Sequence, residues 1–316
     1  MRIAFIPLSY LPNVGGAEFV LHNSLIEHRR AGHKVAVFPN LGSVAVVTHL
    51  PYRCVPVWRR AWSNTIAAGE GPGHRALPRR WLRWRLRAIQ RWFKADVWHI
   101  HSVYPVSWAV IDVLRDELKV PVVITSHGGD VANYAELLGA EPDHQFEARV
   151  RATLAAADEL IAVGPNVVKS YLEAGAPGDR IWVIPHGWHP QRVEQAERNL
   201  STTKAALSLT GRLVALTVAA DRPEKRLDDV LEASLLLDSD SSWSWIIATS
   251  SNRLSTEVNQ SGLSDRVVVR EEPPFSRTDF GHGLPRQEIL DLYAVADVMV
   301  LPSLFEASPT VIHEAF

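Results

Sequence analysis

The sequence lacks several features that would assign it to a large class of proteins. Its single cysteine, Cys54, cannot form an internal disulfide, so a reducing compartment is expected. No apolar run approaches the ~20 residues of a membrane-spanning helix. The N-terminal apolar run stops at Pro7 without a small-residue cleavage site, which argues against a secretory signal. With a formal net charge of -2, the chain has no overall attraction to nucleic acid. These absences predict a cytoplasmic protein that binds no nucleic acid.

The residues that are present indicate an α/β protein with two domains. A chain of 316 residues is long enough for two domains that each have a core. Short β-branched runs alternate with amphipathic helical stretches, a pattern typical of parallel sheets with helical crossovers. Weak periodicity over residues 186–211 predicts a boundary there. We therefore expect two Rossmann-like domains, over residues 1–190 and 191–316.

The predicted strands form one series on each side of that boundary. The first series is Arg2–Pro7, Lys34–Phe38, Asp96–His101, Pro121–Ser126, Glu159–Val163 and Arg180–Ile184. The second is Leu213–Val218, Ser244–Thr249, Arg266–Val269 and Asp297–Leu301. Because the chain reaches Phe316 soon after the last of these strands, the second domain is expected to be incomplete.

Two glutamates follow the last predicted strand of the second series. Glu306 and Glu314 lie eight positions apart around the start of a predicted helix. Parallel α/β sheets bind ligands at the carboxyl ends of their strands, so both carboxylates could grip hydroxyl groups on either side of a diphosphate. The residues alone leave a second interpretation equally open, in which Glu306 is a loop acid and Glu314 a solvated helix residue.

The start of the same helix suits an anion. Ser308 is a good N-cap residue, and Pro309 suits the first helical position. The amides of Thr310 and Val311 would then point out of a positive helix terminus toward phosphate.

A basic turn follows the first strand of the second series. It carries Arg222, Lys225 and Arg226, cations that could neutralise a diphosphate. Taken by itself, the turn is interpreted more simply as a solvated basic loop.

Two glycine-containing loops follow first-domain strands. His127 precedes a pair of glycines and could reach a ligand between the domains, although a structural histidine is equally open. Gly15 and Gly16 follow the first strand and permit close approach of the backbone to phosphate.

With these four loops at strand ends, the sequence resembles the retaining glycosyltransferases of family 4, the GT-B class. The resemblance covers nearly the whole chain and includes strand-turn signatures at Ala157–Val163 and Val183–Gly187. Its most specific mark is the Glu-x7-Glu element that Glu306 and Glu314 match. The sequence departs from the family at Ala219 and Ala220, where a glycine and an arginine are usual.

The resemblance implies two domains that face a cleft and transfer a sugar from a nucleotide diphosphate sugar. Transfer would proceed with retention at the anomeric carbon, without a metal or other cofactor. Glu314 would hold the nucleotide ribose and Glu306 the hydroxyls of the donor sugar. Lys225 and its arginine neighbours, Arg222 among them, would stabilise the leaving diphosphate.

The same resemblance implies roles for the first-domain residues. His127 would contact the donor sugar from the opposite domain, while Gly15 and Gly16 would line the phosphate and acceptor side. The acceptor would be a glycan or a lipid-linked glycan, as in surface polysaccharide synthesis.

Residues 79–94 form a helix rich in arginine and tryptophan. Leucines, Ile89 and Phe93 make one stripe, three tryptophans lie beside it, and arginines occupy the other side. This pattern is typical of a helix at an anionic membrane surface, and it predicts peripheral contact with the inner face of the cell membrane. The alternative is a first-domain helix that packs its stripe on the sheet and solvates its arginines. Binding to nucleic acid is a third and weaker option, because the arginines come without a recognised nucleic-acid-binding fold.

Two other functions remain open at this stage. The chain could be a non-catalytic remnant that binds a sugar nucleotide or a membrane, because its second domain is expected to be incomplete. It could also be a nucleotide-sugar epimerase, although the Glu-x7-Glu element with Lys225 favours transfer.

Overall fold

The structure is a computed structural model that describes most of the chain. The described residues are 1–11, 15–39, 50–55, 57, 76–131, 144–187, 190–237, 242–249, 251–271 and 285–316, without the side chains of 76–79, 144 and 190–193. Within these ranges, no helix combines the length and the apolar content that crossing a membrane requires. The chain divides into two compact units, Met1–His186 and Gly187–Phe316.

Unit 1 is built on a seven-stranded sheet in the order β3-β2-β1-β4-β5-β6-β7. Every strand pair in this order is parallel. Because parallel strands need crossover connections, helices separate most of them along the chain. The strands are β1 (Arg2–Pro7), β2 (Lys34–Val37), β3 (Arg53–Cys54), β4 (Val97–His101), β5 (Val122–Ser126), β6 (Glu159–Ala162) and β7 (Ile181–Val183).

The described helices of unit 1 cover this sheet. The first is followed by Gly32, which adopts a left-handed conformation with φ of 85° and whose amide donates to the Arg29 carbonyl at 3.0 Å. The helices are α1 (Gly16–Arg30), α2 (Ala76–Phe93), α3 (Trp108–Asp112, with π-helical turns on both sides), α4 (His144–Ala156) and α5 (Pro165–Glu173).

Unit 2 contains a four-stranded parallel sheet in the order β10-β9-β8-β11. Its strands are β8 (Leu213–Val218), β9 (Trp243–Thr249), β10 (Val267–Glu271) and β11 (Val298–Met299). Every residue of β9 is buried, as expected of a strand that is covered on both faces. Apolar clusters lie on the two faces, one around Trp245 and Ile247, the other around Leu216 and Ile246. The predicted α/β class with two parallel sheets is confirmed.

Unit 2 contains one long helix that the sequence pattern did not predict. Residues 186–211 had too little periodicity to predict an element, yet they contain the long helix Pro190–Ala206, which packs on Gln287–Val295. Its exposed face is polar along most of its length, so the apolar signal is weak. The helices are α6 (Pro190–Ala206), α7 (Leu227–Leu236), α8 (Arg253–Gln260), α9 (Gln287–Val295) and α10 (Thr310–Ala315).

Candidate functional site

The carboxyl edge of the unit 2 sheet brings together a lysine and a glutamate that are far apart in sequence. Strands β8 and β11 are neighbours, so the loops that follow them meet at one edge. The Leu304 amide donates to the Glu224 carbonyl at 2.9 Å, which fixes one loop against the other. As a result, Lys225 Nζ donates to Glu306 Oε1 at 2.5 Å. Their side chains are only 24% and 21% exposed, so water screens this ion pair incompletely.

Glu314 lies on α10 as a buried acid. Only 7% of the residue is exposed, which excludes the interpretation of Glu314 as a solvated helix residue. The Tyr293 hydroxyl on α9 donates to Glu314 Oε2 at 2.8 Å and orients the carboxylate. The sequence analysis did not single out Tyr293, because a tyrosine on an amphipathic helix resembles an ordinary core residue.

The arginines around Lys225 have acidic neighbours of their own. Arg222 is 64% exposed at its side chain and lies 4.0 Å from Glu224. Arg226 has a left-handed backbone with φ of 53°, and its guanidinium bonds Asp229 at 2.7 Å. The hydrogen bonds that the Arg226 guanidinium donates to Asp229 raise the pKa of Arg226. Lys225 is thus the cation of this turn that pairs with the predicted site glutamate.

The start of α10 differs by one position from the prediction. The N-cap residue is Pro309, with φ of -69° and ψ of 114°, and Thr310 is the first helical residue. Ser308 therefore precedes the cap, and its hydroxyl lies 3.3 Å from His313 Nε2 instead of capping an amide. The predicted cap at Ser308 is wrong because the backbone of Pro309 is extended at its ψ of 114°, so the helix begins one residue later than predicted. Thr310 and Val311 still belong to the first turn, whose amides the helix itself leaves unbonded.

A cluster of histidines occupies the carboxyl edge of the unit 1 sheet. His127 Nε2 lies 3.0 Å from His101 Nδ1. The His127 ring stacks on His101 with centroids 5.3 Å apart and on His186 at 5.8 Å. His101 in turn lies 4.4 Å from the ring of His99, which bonds the Thr125 hydroxyl at 2.7 Å.

Burial keeps these imidazoles uncharged near neutral pH. It lowers the pKa of His127 to about 4. Burial, followed by repulsion from His28 and His127, lowers the pKa of His99 to about 3. The pKa of His101 is also well below its usual value, first because of burial and then because of the neighbouring histidines. A neutral imidazole donates from one nitrogen and accepts at the other, which suits hydroxyl groups.

The loop that carries His127 is held by a buried aspartate. Asp130 accepts from the Val103 amide at 2.5 Å and from the Ser126 hydroxyl at 2.6 Å. Burial raises the pKa of Asp130, and these hydrogen bonds partly oppose that rise. Gly128 has a φ of 107°, a conformation that side chains disfavour, and its amide bonds the Ser126 hydroxyl at 3.0 Å. Of the two glycines that follow His127, Gly128 is therefore required by the turn.

A cavity of about 310 Å³ opens beside these histidines, in the size range of small-ligand sites. Its walls mix carboxyl, hydroxyl and imidazole groups with apolar surface. The lining residues include Ser9, Glu18, His101, Tyr104, His127 and Asp130. His101 Nε2 is buried and has no hydrogen-bond partner within the described part of the chain. The sequence analysis missed His101, although the His99-x-His101 alternation at a strand end could have indicated it.

The predicted glycines of the first loop lie at the start of α1. Gly15 is the N-cap residue, and Gly16 is the first helical residue. A β-carbon at Gly15 would come within 2.9 Å of Glu18 Oε2, so a larger residue there would displace the Glu18 carboxylate. Neither glycine lines the cavity, but Ala17 and Glu18, which follow them, do. The Glu18 carboxylate makes this helix start a better environment for hydroxyl groups than for phosphate.

Helix α2 uses its apolar stripe inside unit 1. Leu82, Leu86 and Ile89 are buried, so this stripe packs in the core and not against a membrane. For these residues, the interpretation of α2 as a helix that packs its stripe on the first-domain sheet is therefore correct. Arg83 and Arg87 pair with Glu117 at 3.0 and 2.5 Å. Three tryptophans of the helix nevertheless remain exposed, at 40%, 60% and 48% of their surface: Trp81, Trp84 and Trp92. The Arg79 side chain lies outside the described residues.

Solved structures with the same fold come from glycosyltransferases at low sequence identity. Anabaena Alr3699/HepE in complex with UDP and glucose superposes with a TM-score of 0.70 at 15% identity, covering 100% of this chain and 78% of that one. Sucrose-phosphate synthase from Thermosynechococcus elongatus gives a TM-score of 0.69 at 20% identity, covering 99% of this chain and 78% of that one. These matches confirm the GT-B type of fold that was predicted.

A curated relative and a family profile extend the comparison to sequence. D-inositol 3-phosphate glycosyltransferase from Streptosporangium roseum is 30% identical over 222 residues, which cover 65% of this chain. The matched region is 48% of that relative, so this chain spans about half the length of the curated relative it matches. The profile of Glycosyltransferase Family 4 matches residues 14–192, more than half of the chain. The chain therefore belongs to Glycosyltransferase Family 4.

Proposed function

We propose that this protein transfers a sugar from a nucleotide diphosphate sugar to a glycan or lipid-linked acceptor, with retention and without a metal. The supporting observation is the ion pair of Lys225 and Glu306 at the carboxyl edge of unit 2, 2.5 Å long. Family membership and the glycosyltransferase activity in the name of the curated relative support transfer. The UDP and glucose in the related HepE structure support the donor class.

Lys225 and Glu306 suit the two parts of such a donor. When the bond between the anomeric carbon and the diphosphate breaks, negative charge develops on the diphosphate. The Lys225 ammonium group can neutralise that charge without a metal. Glu306 accepts hydrogen bonds from sugar hydroxyls, and its ion pair with Lys225 keeps both groups oriented before the donor arrives. Retention rests on the Glu-x7-Glu element that the chain shares with retaining members of its family.

Glu314 is proposed to hold the nucleotide ribose. Two hydroxyls on a ribose match a carboxylate that can accept two hydrogen bonds. The Tyr293 hydroxyl bonds one oxygen at 2.8 Å, so the carboxylate is oriented before binding. Burial of Glu314 excludes most competing water. Arg222, Ser308, Thr310 and Val311 are proposed to contact the phosphates.

The cavity of unit 1 is proposed to bind sugar hydroxyls. Its two histidines, His101 and His127, are neutral near pH 7, and its carboxylates accept hydrogen bonds. Neutral imidazoles and carboxylates favour hydroxyl groups over phosphate, which distinguishes this cavity from the Lys225 loop. Gly15 and Gly16 are proposed to set the position of the cavity wall through α1.

The first experiment is calorimetric titration of the chain with uridine, guanosine and adenosine diphosphates. One nucleotide is expected to bind, and Lys225→Ala and Glu314→Ala are each expected to weaken it at least tenfold, about 1.4 kcal/mol. Lys204→Ala and Glu232→Ala remove the same charges elsewhere in unit 2 and serve as matched controls. Tyr293→Phe tests the orientation of Glu314, because it removes the hydroxyl and keeps the ring.

The outcomes separate the proposal from its alternatives. If the folded chain binds none of the nucleotides, the transferase proposal fails and a non-catalytic remnant becomes the better explanation. If a sugar nucleotide binds and its sugar is inverted at one carbon without transfer, the protein is an epimerase. Transfer that survives a chelator and yields a product with the donor's anomeric configuration supports the metal-independent, retaining mechanism.

A second proposal concerns where the enzyme works: α2 contacts the anionic inner face of the cell membrane, as suits a lipid-linked acceptor in surface polysaccharide synthesis. The supporting observation is that Trp81, Trp84 and Trp92 stay exposed although the apolar stripe of α2 is buried. Tryptophan is favoured at the boundary between lipid and water. The exposed Arg80 and Arg91 on the same helix add attraction to anionic headgroups.

Vesicle sedimentation tests this membrane contact. Binding is expected to vesicles that contain phosphatidylglycerol and to be weaker with phosphatidylcholine alone. The double variant Trp81→Ser/Trp84→Ser is expected to bind at least tenfold more weakly, a change of about 1.4 kcal/mol. Trp182→Ser is the matched control, because Trp182 is 59% exposed but lies on β7. Equal loss in both variants contradicts the proposal.

A further inference from the structure

A groove lies at the edge of the unit 1 sheet opposite the histidines. It has a volume of about 720 Å³ and is formed where β1, β2 and β3 begin. The carboxyl ends of the strands, where His101 and His127 lie, point the other way. The groove is therefore separate from the cavity and loops of the proposed function. Residues from the end of α1 and the end of α2 complete its walls.

The groove is lined by four permanently charged cations. Arg2 and Lys34 are register partners on adjacent parallel strands, so their backbones are about 4.8 Å apart. Arg29 contributes from the last turn of α1, Arg53 from the start of β3, and His33 lies between Arg29 and the strands. None of the described residues that line the groove carries a carboxylate. The chain as a whole has a net charge of -2, so this concentration of positive charge is local.

Two of these cations have no acidic partner among the described residues: no ion pair or side-chain hydrogen bond involves Arg29 or Lys34 there. The position of Arg29 at the end of α1 can be explained without a ligand, because a cation there offsets the helix dipole. That explanation does not apply to Arg2, Lys34 and Arg53, which begin strands, because strands have small net dipoles.

Aromatic groups hold one guanidinium in place. The Arg53 guanidinium lies 5.3 Å from the centre of the Trp92 ring, a cation–π distance. Trp92 packs edge-on against Phe38 at 6.5 Å, so the ring has a fixed support. Arg2 is also fixed, because its guanidinium donates to the Phe93 carbonyl at 3.2 Å. The groove thus combines two positioned arginines with two cations that have no acidic partner in the described part of the chain.

We propose that this groove binds a phosphate or diphosphate group. Arginine forks match phosphate oxygens in geometry, and lysine supplies a compact charge. Four permanent charges exceed what a single carboxylate would neutralise, and they favour an anion with more than one charge. The groove volume also accepts a group larger than a single ion. The phosphate can be a soluble ion or the headgroup of a lipid, and the experiment separates these two sources.

The test uses a groove variant and a variant of equal charge. Arg29→Ala/Lys34→Ala removes the two cations without an acidic partner among the described residues, and Lys169→Ala/Arg198→Ala removes two exposed cations elsewhere. Both are made in a Lys225→Ala background, so that pyrophosphate cannot report on the proposed donor loop. Inorganic pyrophosphate is the soluble probe in calorimetry. Vesicles of phosphatidylcholine with phosphatidic acid are the lipid probe, which presents a phosphate monoester.

The groove variant is expected to bind at least one probe about tenfold more weakly than its background, and the control variant to bind both unchanged. Loss with pyrophosphate alone identifies a soluble phosphate as the ligand. Loss with vesicles alone identifies a lipid headgroup. If the two variants behave alike with both probes, the groove is not an anion site and the proposal is overturned. Nucleotide titration of the groove variant with Lys225 intact must give the wild-type affinity, so the outcome is independent of the donor site.

Discussion

The two carboxyl edges of this protein differ in how they hold their polar groups. In unit 1 the groups are buried, close to one another and uncharged, as the lowered pKa values of His99 and His127 indicate. In unit 2 they are charged, paired across 81 positions of sequence and about one-fifth exposed. The same edge of the same kind of sheet can therefore present either neutral hydrogen-bonding groups or a charged pair. Burial of the surrounding loop decides which of the two a residue becomes.

The comparison has a chemical consequence. Neutral imidazoles bond hydroxyl groups well but carry no charge that would neutralise a phosphate. A lysine next to a glutamate offers one group for an anion and one for hydroxyls. The proposed division of labour, with sugar hydroxyls in unit 1 and the diphosphate in unit 2, follows from this difference.

The largest expected effect is on catalysis at Lys225. Lys225→Ala is expected to lower the rate of sugar transfer by about 10²–10³-fold, because it removes the cation that stabilises developing charge. The measurement is kcat/KM for release of the nucleoside diphosphate from the donor that calorimetry identifies. Lys204→Ala should leave that constant unchanged. A loss below tenfold for Lys225→Ala would assign the charge stabilisation to another group.

The next effect is a loss of stability in acid that originates in unit 1. Unfolded histidines titrate near 6.5, whereas His127 titrates at about 4 and His99 at about 3 in the folded protein. The unfolded state therefore binds more protons below about pH 6.5. Stability is expected to fall as the pH decreases from about 6.5 toward 4, by roughly 3 kcal/mol for each of these two histidines.

Urea unfolding at a series of pH values measures this dependence. The variant His99→Gln is expected to flatten it, because glutamine does not titrate. His313→Gln, on the exposed end of α10, should leave it unchanged. A pH dependence that persists in full in His99→Gln and in His127→Gln would show that other groups cause the acid sensitivity.

A smaller effect on the free energy of unfolding is expected from two aspartates that accept hydrogen bonds from backbone amides. Asp130 is 8% exposed and bonds the Val103 amide, while Asp297 is exposed and bonds the Val214 amide at 2.7 Å. Asp130→Ala leaves buried donors unsatisfied and should destabilise the protein by about 2–3 kcal/mol. Asp297→Ala should cost less than about 1 kcal/mol, because water can replace the carboxylate. The measurement is the thermal unfolding of both variants. Equal decreases in Tm would contradict the expectation that burial makes Asp130 the more important of the two.

The smallest expected effect is the contribution of the Lys225–Glu306 pair to stability. A double-mutant cycle with Lys225→Ala and Glu306→Ala is expected to give a coupling of about 1 kcal/mol, reduced by salt. A coupling of that size, together with a large effect on catalysis, would show that these residues serve the reaction more than the stability of the fold. A coupling above about 3 kcal/mol would instead make the pair a structural element.

Much of the fold could be predicted because its signals are local. The strand Arg2–Pro7 has its predicted bounds, and Leu213–Val218 does as well. Continuous apolar runs identify such strands directly. The edge strand β11 covers only Val298–Met299, shorter than predicted, because it pairs with a single neighbour in the described sheet. The helix Pro190–Ala206 was missed because its polar face dominates the sequence pattern.

The candidate site residues could likewise be predicted one by one, but the contacts between them could not. The places of Glu306, Lys225 and His127 after predicted strands made them candidates, and the family resemblance implied their roles. It could not indicate that His101 lies beside His127, because that contact joins loops after different strands. The cap at Ser308 was predicted from residue preference alone, and the backbone of Pro309 determined the outcome instead. The cationic groove was not predicted at all, since Arg2, Arg29, Lys34 and Arg53 share no motif.

The sequence by itself determined the fold class, because periodicity and strand ends are encoded within short segments. It also carries the Glu-x7-Glu element on which the resemblance to the family rests. Only the tertiary structure decided which of these polar residues are charged, which are buried and which are partners. Strand order brings Lys225 to Glu306 and His101 to His127. Packing then buries the histidines and the stripe of α2 but leaves three tryptophans in water. These outcomes depend on contacts between distant segments, and no local pattern records such contacts.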